Sequence, residues 1–96
     1  MYITTEQEER LKQIGYDCHY EGKDIYKAAT FLRERHGLHV YSIPFVQDKY
    51  TAWDRRVIDL KTGECLYNNG FHDTHDLAYA AAITAAIDIV EQRNKK

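Results

Sequence analysis

Proline occurs once, at Pro44, and glycine five times in 96 residues. That scarcity rules out a collagen-like chain and leaves no stretch fit for a flexible linker. Cysteine is nearly as rare: Cys18 and Cys65 stand alone, in no C-x-x-C pair, so no disulfide framework is legible. Both thiols are expected reduced, packing as small apolar groups. No apolar run approaches the eighteen residues of a membrane span, and the opening "MYITTEQEER" lacks the basic start and apolar run of a signal peptide. The expected location is therefore cytoplasmic. An excess of positive charge is missing too: 13 basic side chains face 15 acidic ones, for a net charge of −2. A protein that binds by neutralising many phosphates carries the opposite balance. Arg55-Arg56 and the terminal "RNKK" are the local exceptions.

Catalytic signatures are missing as well. There is no P-loop, no G-x-G-x-x-G and no nucleophile elbow. Cys18 and His19 are neighbours in sequence, and on an extended segment such neighbours point to opposite sides. No catalytic residue and no cofactor is nominated, and the chain reads as non-enzymatic.

What is present describes one domain over residues 1–96, with a mean hydropathy of −0.63. Residues 1–23 read as a short N-terminal helix and a connector. Thr5 with Glu8 has the form of a capping box, and Gly15 suits the left-handed position that ends a helix. Asp24 is a good N-cap for "IYKAATFLRERH", in which Ile25, Ala28, Ala29 and Leu32 recur on one face before Gly37. From Leu38 the pattern turns to β: "LHVYSIPFVQ", then "YTAWDRRVIDL", then "CLYNN" after the turn "KTGE". Asn69-Gly70 is read as closing the last strand. An alanine-rich helix follows, with a core stripe at Tyr79, Ala80, Ile83, Ala86, Ile87 and Val90. Residues 24–92 thus form an αβββα core, with 93–96 as a basic tail. The expectation is α+β: a two-layer sandwich in the order α-α-β-β-β-α, with a three-stranded antiparallel meander covered by helices on one face.

Two clusters invite function. The first is "HDTHD", His72 to Asp76. Asp73 or Thr74 as N-cap, with Asp76 in the first turn, is what an exposed helix start needs. Capping is the reading adopted and no metal is nominated; His72 and His75, which capping does not require, are the candidate ligands in the rival metal reading. His36 and His39 repeat the spacing, though His36 suits a helix C-terminus without any metal. The second cluster is aromatic. Tyr41, Phe45, Trp53 and Tyr67 fall in the strands beside Arg55 and Arg56. Tyr41, Ile43 and Phe45 alternate with Val40, Ser42, Pro44 and Val46, so both faces of the first strand are partly apolar. Such a sheet wants a second cover. The N-terminal helix and the connector could supply it, as could a second copy of the chain or a foreign ligand.

The stretches "AATFLRERHGLHVYSIP" and "FHDTHDLAYAAAITAAI", with the Trp-bearing second strand, resemble small uncharacterised bacterial proteins of the kind carried by gut-bacterial mobile elements and phages. Phe31 stands where that pattern usually has Trp, and Leu77 where an acid is usual. The resemblance spans roughly residues 24–90 and implies no activity. In topology alone, residues 24–91 are similar to the double-stranded-RNA-binding domain, which would imply contact with duplex phosphates through the start of the final helix. That family places lysines there; this chain places His72 to Asp76. The leading expectation is a non-catalytic accessory or protein-interaction module that self-associates as a homodimer, with an unknown protein as the other partner. A nucleic-acid-binding domain using the sheet aromatics with Arg55 and Arg56 is the alternative.

Overall fold

The computed structural model describes residues 2–17 and 22–95, and for 67–69 the backbone alone. Cys18, His19 and the Tyr67 side chain lie outside what is described. Three helices and three strands follow the expected order: α1 (Thr5–Gln13), α2 (Ile25–His36), β1 (Leu38–Gln47), β2 (Tyr50–Asp59), β3 (Cys65–His72) and α3 (His75–Asn94).

Helix α1 is capped one residue earlier than the Thr5 reading. Thr4 Oγ1 accepts from the Gln7 amide N–H at 3.0 Å, and Gln7 Oε1 accepts from Thr4 N–H at 2.9 Å. The shift follows from what the helix buries. Gln7 and Leu11, four apart, are the two buried residues of α1. The Gln7 amide donates to Ala80 O and to Thr84 Oγ1, at 3.1 and 2.8 Å. A buried amide must find such partners. At the other end Gly15 has φ 109°, and the N–H groups of Tyr16 and Gly15 return to Leu11 O and Lys12 O, the paired bonds of a Schellman turn.

Asp24 caps α2 through the Tyr26 N–H at 2.8 Å, and Gly37, at φ 67°, ends it. Phe31 is fully buried although it lies beside the expected stripe. The reason is tertiary: Tyr16 meets it edge-on at 5.4 Å and His36 at 5.1 Å.

The strands form one antiparallel sheet in the order β1-β2-β3. The β1–β2 register runs unbroken from Leu38↔Asp59 to Gln47↔Tyr50, closed by a two-residue turn with Asp48 at φ 55°. β3 is three residues longer than its sequence reading and continues through Asn69-Gly70 to His72. Register shifts near Val57 carry it past those turn-like residues.

All three helices share one side of the sheet. Leu38, Val40 and Val57 from the sheet meet Ile25, Leu32, Ile83 and Ile87 in the core; burying each such side chain contributes roughly 1.5–3 kcal/mol. α1 joins this layer by packing on α3, so it does not cover the opposite face of the sheet. It also explains α3, where Ala78, Ala82 and Ala85, off the expected stripe, are buried as well, while Tyr79 and Ala80 are only half-buried. The helix has neighbours on two sides, and alanine lets them approach closely. Arg93 belongs to the last turn of α3, not to a tail, and donates to Asp59 at 3.1 Å. Among the described residues no helix is long and apolar enough to cross a membrane.

Candidate interaction surface

Because the β1–β2 register is unbroken, side chains alternate strictly between the two sheet faces. Val40 and Val57 pair on the helix-covered side. The other, outer face therefore carries Tyr41, Ile43 and Phe45 from β1 and Ala52, Asp54, Arg56 and Ile58 from β2. Phe71, paired with Asp54, shares that face. The Phe45 and Phe71 rings meet at 5.7 Å, and Ala52, which pairs with Phe45, is buried. His39 stacks on Tyr41 at 5.6 Å. Phe45 and Phe71 are 49% and 53% exposed, which marks an apolar surface with no cover in the described chain.

The charges on this face are largely settled internally. Arg56 Nε donates to Asp54 Oδ2 at 2.8 Å, and Gly70 N–H donates to Asp54 Oδ1 at 3.0 Å. Asp54 is buried with both oxygens used. That hydrogen bond first, reinforced by Tyr41, raises the Arg56 guanidinium above its ordinary value. The guanidinium is thus a neutralised pair and not an open cation.

The sequence-nominated set is divided between faces. Tyr41, Phe45 and Arg56 come together on the outer face. Trp53 and Arg55 point to the helix side. Arg55 lies over Gly70, where a Cβ would stand 2.3 Å from its Nε, and its guanidinium donates to His72 Nε2 at 2.9 Å. Trp53 meets the His75 ring edge-on at 5.2 Å, and His75 in turn meets Tyr79 at 5.7 Å. Burial raises the Tyr79 phenol above its ordinary value. Ile43, Ile58 and Phe71 were not nominated from sequence. The alternation of Ile43 with Tyr41 and Phe45 was a usable signal; Phe71 was hidden because the strand was expected to stop at Asn69.

The "HDTHD" stretch resolves into a cap and two packed rings. Thr74 is the N-cap, accepting from the Leu77 N–H at 3.1 Å, with Asp76 in the first turn. Asp73 lies outside the helix and is exposed. His75 Nδ1 lies 3.4 Å from Asp76 Oδ1. His72 points its Nε2 at a guanidinium, a poor setting for a cation. His36 is tied to Ile14 O at 3.0 Å. Among the described residues no three His, Cys, Asp or Glu side chains converge as a metal site requires. No protein-family model matches this sequence, no curated protein matches it, and no solved structure matches its fold.

Proposed function

We propose that this protein is a non-catalytic interaction module that self-associates through the outer face of its sheet. The observation that carries the reading is the placement of all the described helices on one side, with Tyr41, Ile43, Phe45, Ile58 and Phe71 on the other. Charge supports a second copy over a nucleic acid. With Arg56 neutralised by Asp54 and Arg55 turned away, the face offers little attraction to phosphate, and two such faces meet without repulsion. Pro44 in the edge strand β1 lacks an N–H, which favours packing of faces over addition of strand to strand.

The size of the face sets the strength. A sheet with strands of ten, ten and eight residues projects an area on the order of 450 Å², below the roughly 800 Å² per partner of a standard interface. A reversible, concentration-dependent pair is the expectation. Sedimentation velocity from about 10 µM to about 1 mM spans the range a weak pair requires. The wild type should shift from monomer to dimer, and Ile43→Lys should remain monomeric with an unchanged circular dichroism spectrum. A single monomeric species throughout that range overturns the reading.

A further inference from the structure

His39 stands on the outer face of the sheet. Alternation along β1 puts it in line with Tyr41, Ile43 and Phe45, and the register sets it opposite Ile58. It is half-buried, and its ring stacks on Tyr41 at an interplanar angle of 18°. Among the described residues it takes part in no ion pair.

The charges around it are committed elsewhere or lie apart. Arg56, opposite Tyr41 on β2, is held by Asp54 and by Tyr41 itself. Asp54 pairs with Ile43, four residues along β1 from His39. Asp59, opposite Leu38, belongs to the helix side and takes Arg93. Cys65 lies beyond Ile58 on β3, and Lys61 and Glu64 are exposed in the turn between β2 and β3.

A second copy supplies no acid either. In an aligned two-fold packing of sheet on sheet, the middle strand β2 lies over the partner's β2, and β1 lies over the partner's β1 or β3. Asp54 is on β2. The other two strands, "LHVYSIPFVQ" and "CLYNNGFH", contain no Asp or Glu. As a neutral ring, His39 adds to the surface that such a pair covers. As a cation it would lose its water without gaining a counter-charge, which is costly.

We propose that His39 makes the self-association of this protein sensitive to pH: the pair forms when this imidazole is neutral and parts when it is protonated. The proposal rests on the outer-face reading and adds its regulation. Two imidazoles enter the interface, one from each copy, so proton uptake favours the monomer. Association therefore weakens as pH falls through the range in which imidazoles titrate, from about 7.5 to about 5.5.

Sedimentation equilibrium on the full chain at those two pH values tests this. The expected result is a wild-type dimer dissociation constant at least about tenfold higher at the lower pH. His39→Gln keeps a neutral polar side chain, and His39→Phe keeps a ring against Tyr41. Both retain the other four histidines, so any effect of overall charge persists in them. Their dissociation constants should change by less than about threefold. A wild-type dimer equally tight at both pH values, or variants that weaken as much as the wild type, overturns the inference and leaves the sheet-face reading standing. A wild type that is monomeric at both removes the two together.

Discussion

Asp54 Oδ2 accepts a hydrogen bond from Arg56 Nε at 2.8 Å while its Oδ1 accepts Gly70 N–H at 3.0 Å. One buried carboxylate thus both neutralises a cation on the outer face and ties β2 to the bulged end of β3. Removing it leaves a strand amide without its acceptor and a half-buried guanidinium without its counter-charge. Asp54→Ala should lower unfolding stability by about 1–3 kcal/mol, measured by urea denaturation. Asp54→Asn keeps an acceptor for Gly70 and should cost less. Equal stability of all three proteins would show that the pair is ornamental.

Much of this fold could be read from sequence because local signals agreed with tertiary demands. Asp24, Gly37 and the change to β at Leu38 all stand where expected. The exceptions share a cause: long-range packing chose between local alternatives. Thr4 prevailed over Thr5 because Gln7 bonds α3, seventy-odd positions away in sequence. β3 ran through Asn69-Gly70, ordinarily a turn signal, because Gly70 leaves room for Arg55 and offers its N–H to Asp54. The outer face was half legible for the same reason. Alternation placed Tyr41 and Phe45 together, but only the register of β1 against β2 sends Arg55 to the other side, and only that of β2 against β3 brings in Phe71.

The start of α3 separates two residues that sequence left equivalent. Thr74 supplies the capping oxygen to Leu77 N–H, whereas Asp73 precedes the cap and is exposed. Thr74→Ala should cost about 0.5–2 kcal/mol. Asp73→Ala should stay within about 0.5 kcal/mol, as exposed positions usually do. Thermal or urea unfolding of the two variants settles the order; a larger loss for Asp73→Ala would reassign the cap.

α1 is clamped to α3 by charge. Arg10 Nε donates to Glu91 Oε2 at 3.1 Å, and the same guanidinium also reaches Asp88. The Arg10 hydrogen bond holds the Glu91 carboxyl below its usual range. A carboxylate depressed in the folded state adds stability that is present above its unfolded pKa and is lost as pH falls through the folded one. Glu91→Gln should therefore be less stable than wild type at neutral pH, by about 0.5–1 kcal/mol for a partly exposed pair. The difference should close in acid, below roughly pH 4. Denaturation curves that keep the same gap at low pH would mean that packing, not charge, holds α1 in place.

Arg55 and Gly70 together determine the protonation pattern of His72. A guanidinium only donates, so the 2.9 Å contact requires His72 Nε2 to accept, which places the neutral ring's proton on Nδ1. Gly70 makes the contact possible, because a Cβ at that position would stand 2.3 Å from Arg55 Nε and 2.4 Å from Cζ. Gly70→Ala must push the guanidinium aside, and Arg55→Met removes it while keeping much of its length. Nitrogen-15 NMR of the imidazoles, at a pH where the ring is neutral, should find His72 in the Nδ1–H form in the wild type. Both variants should relax it toward the Nε2–H form. A wild-type ring already in the Nε2–H form would mean that the nitrogen facing Arg55 carries a proton, and the donor–acceptor assignment at this corner of the sheet would fall.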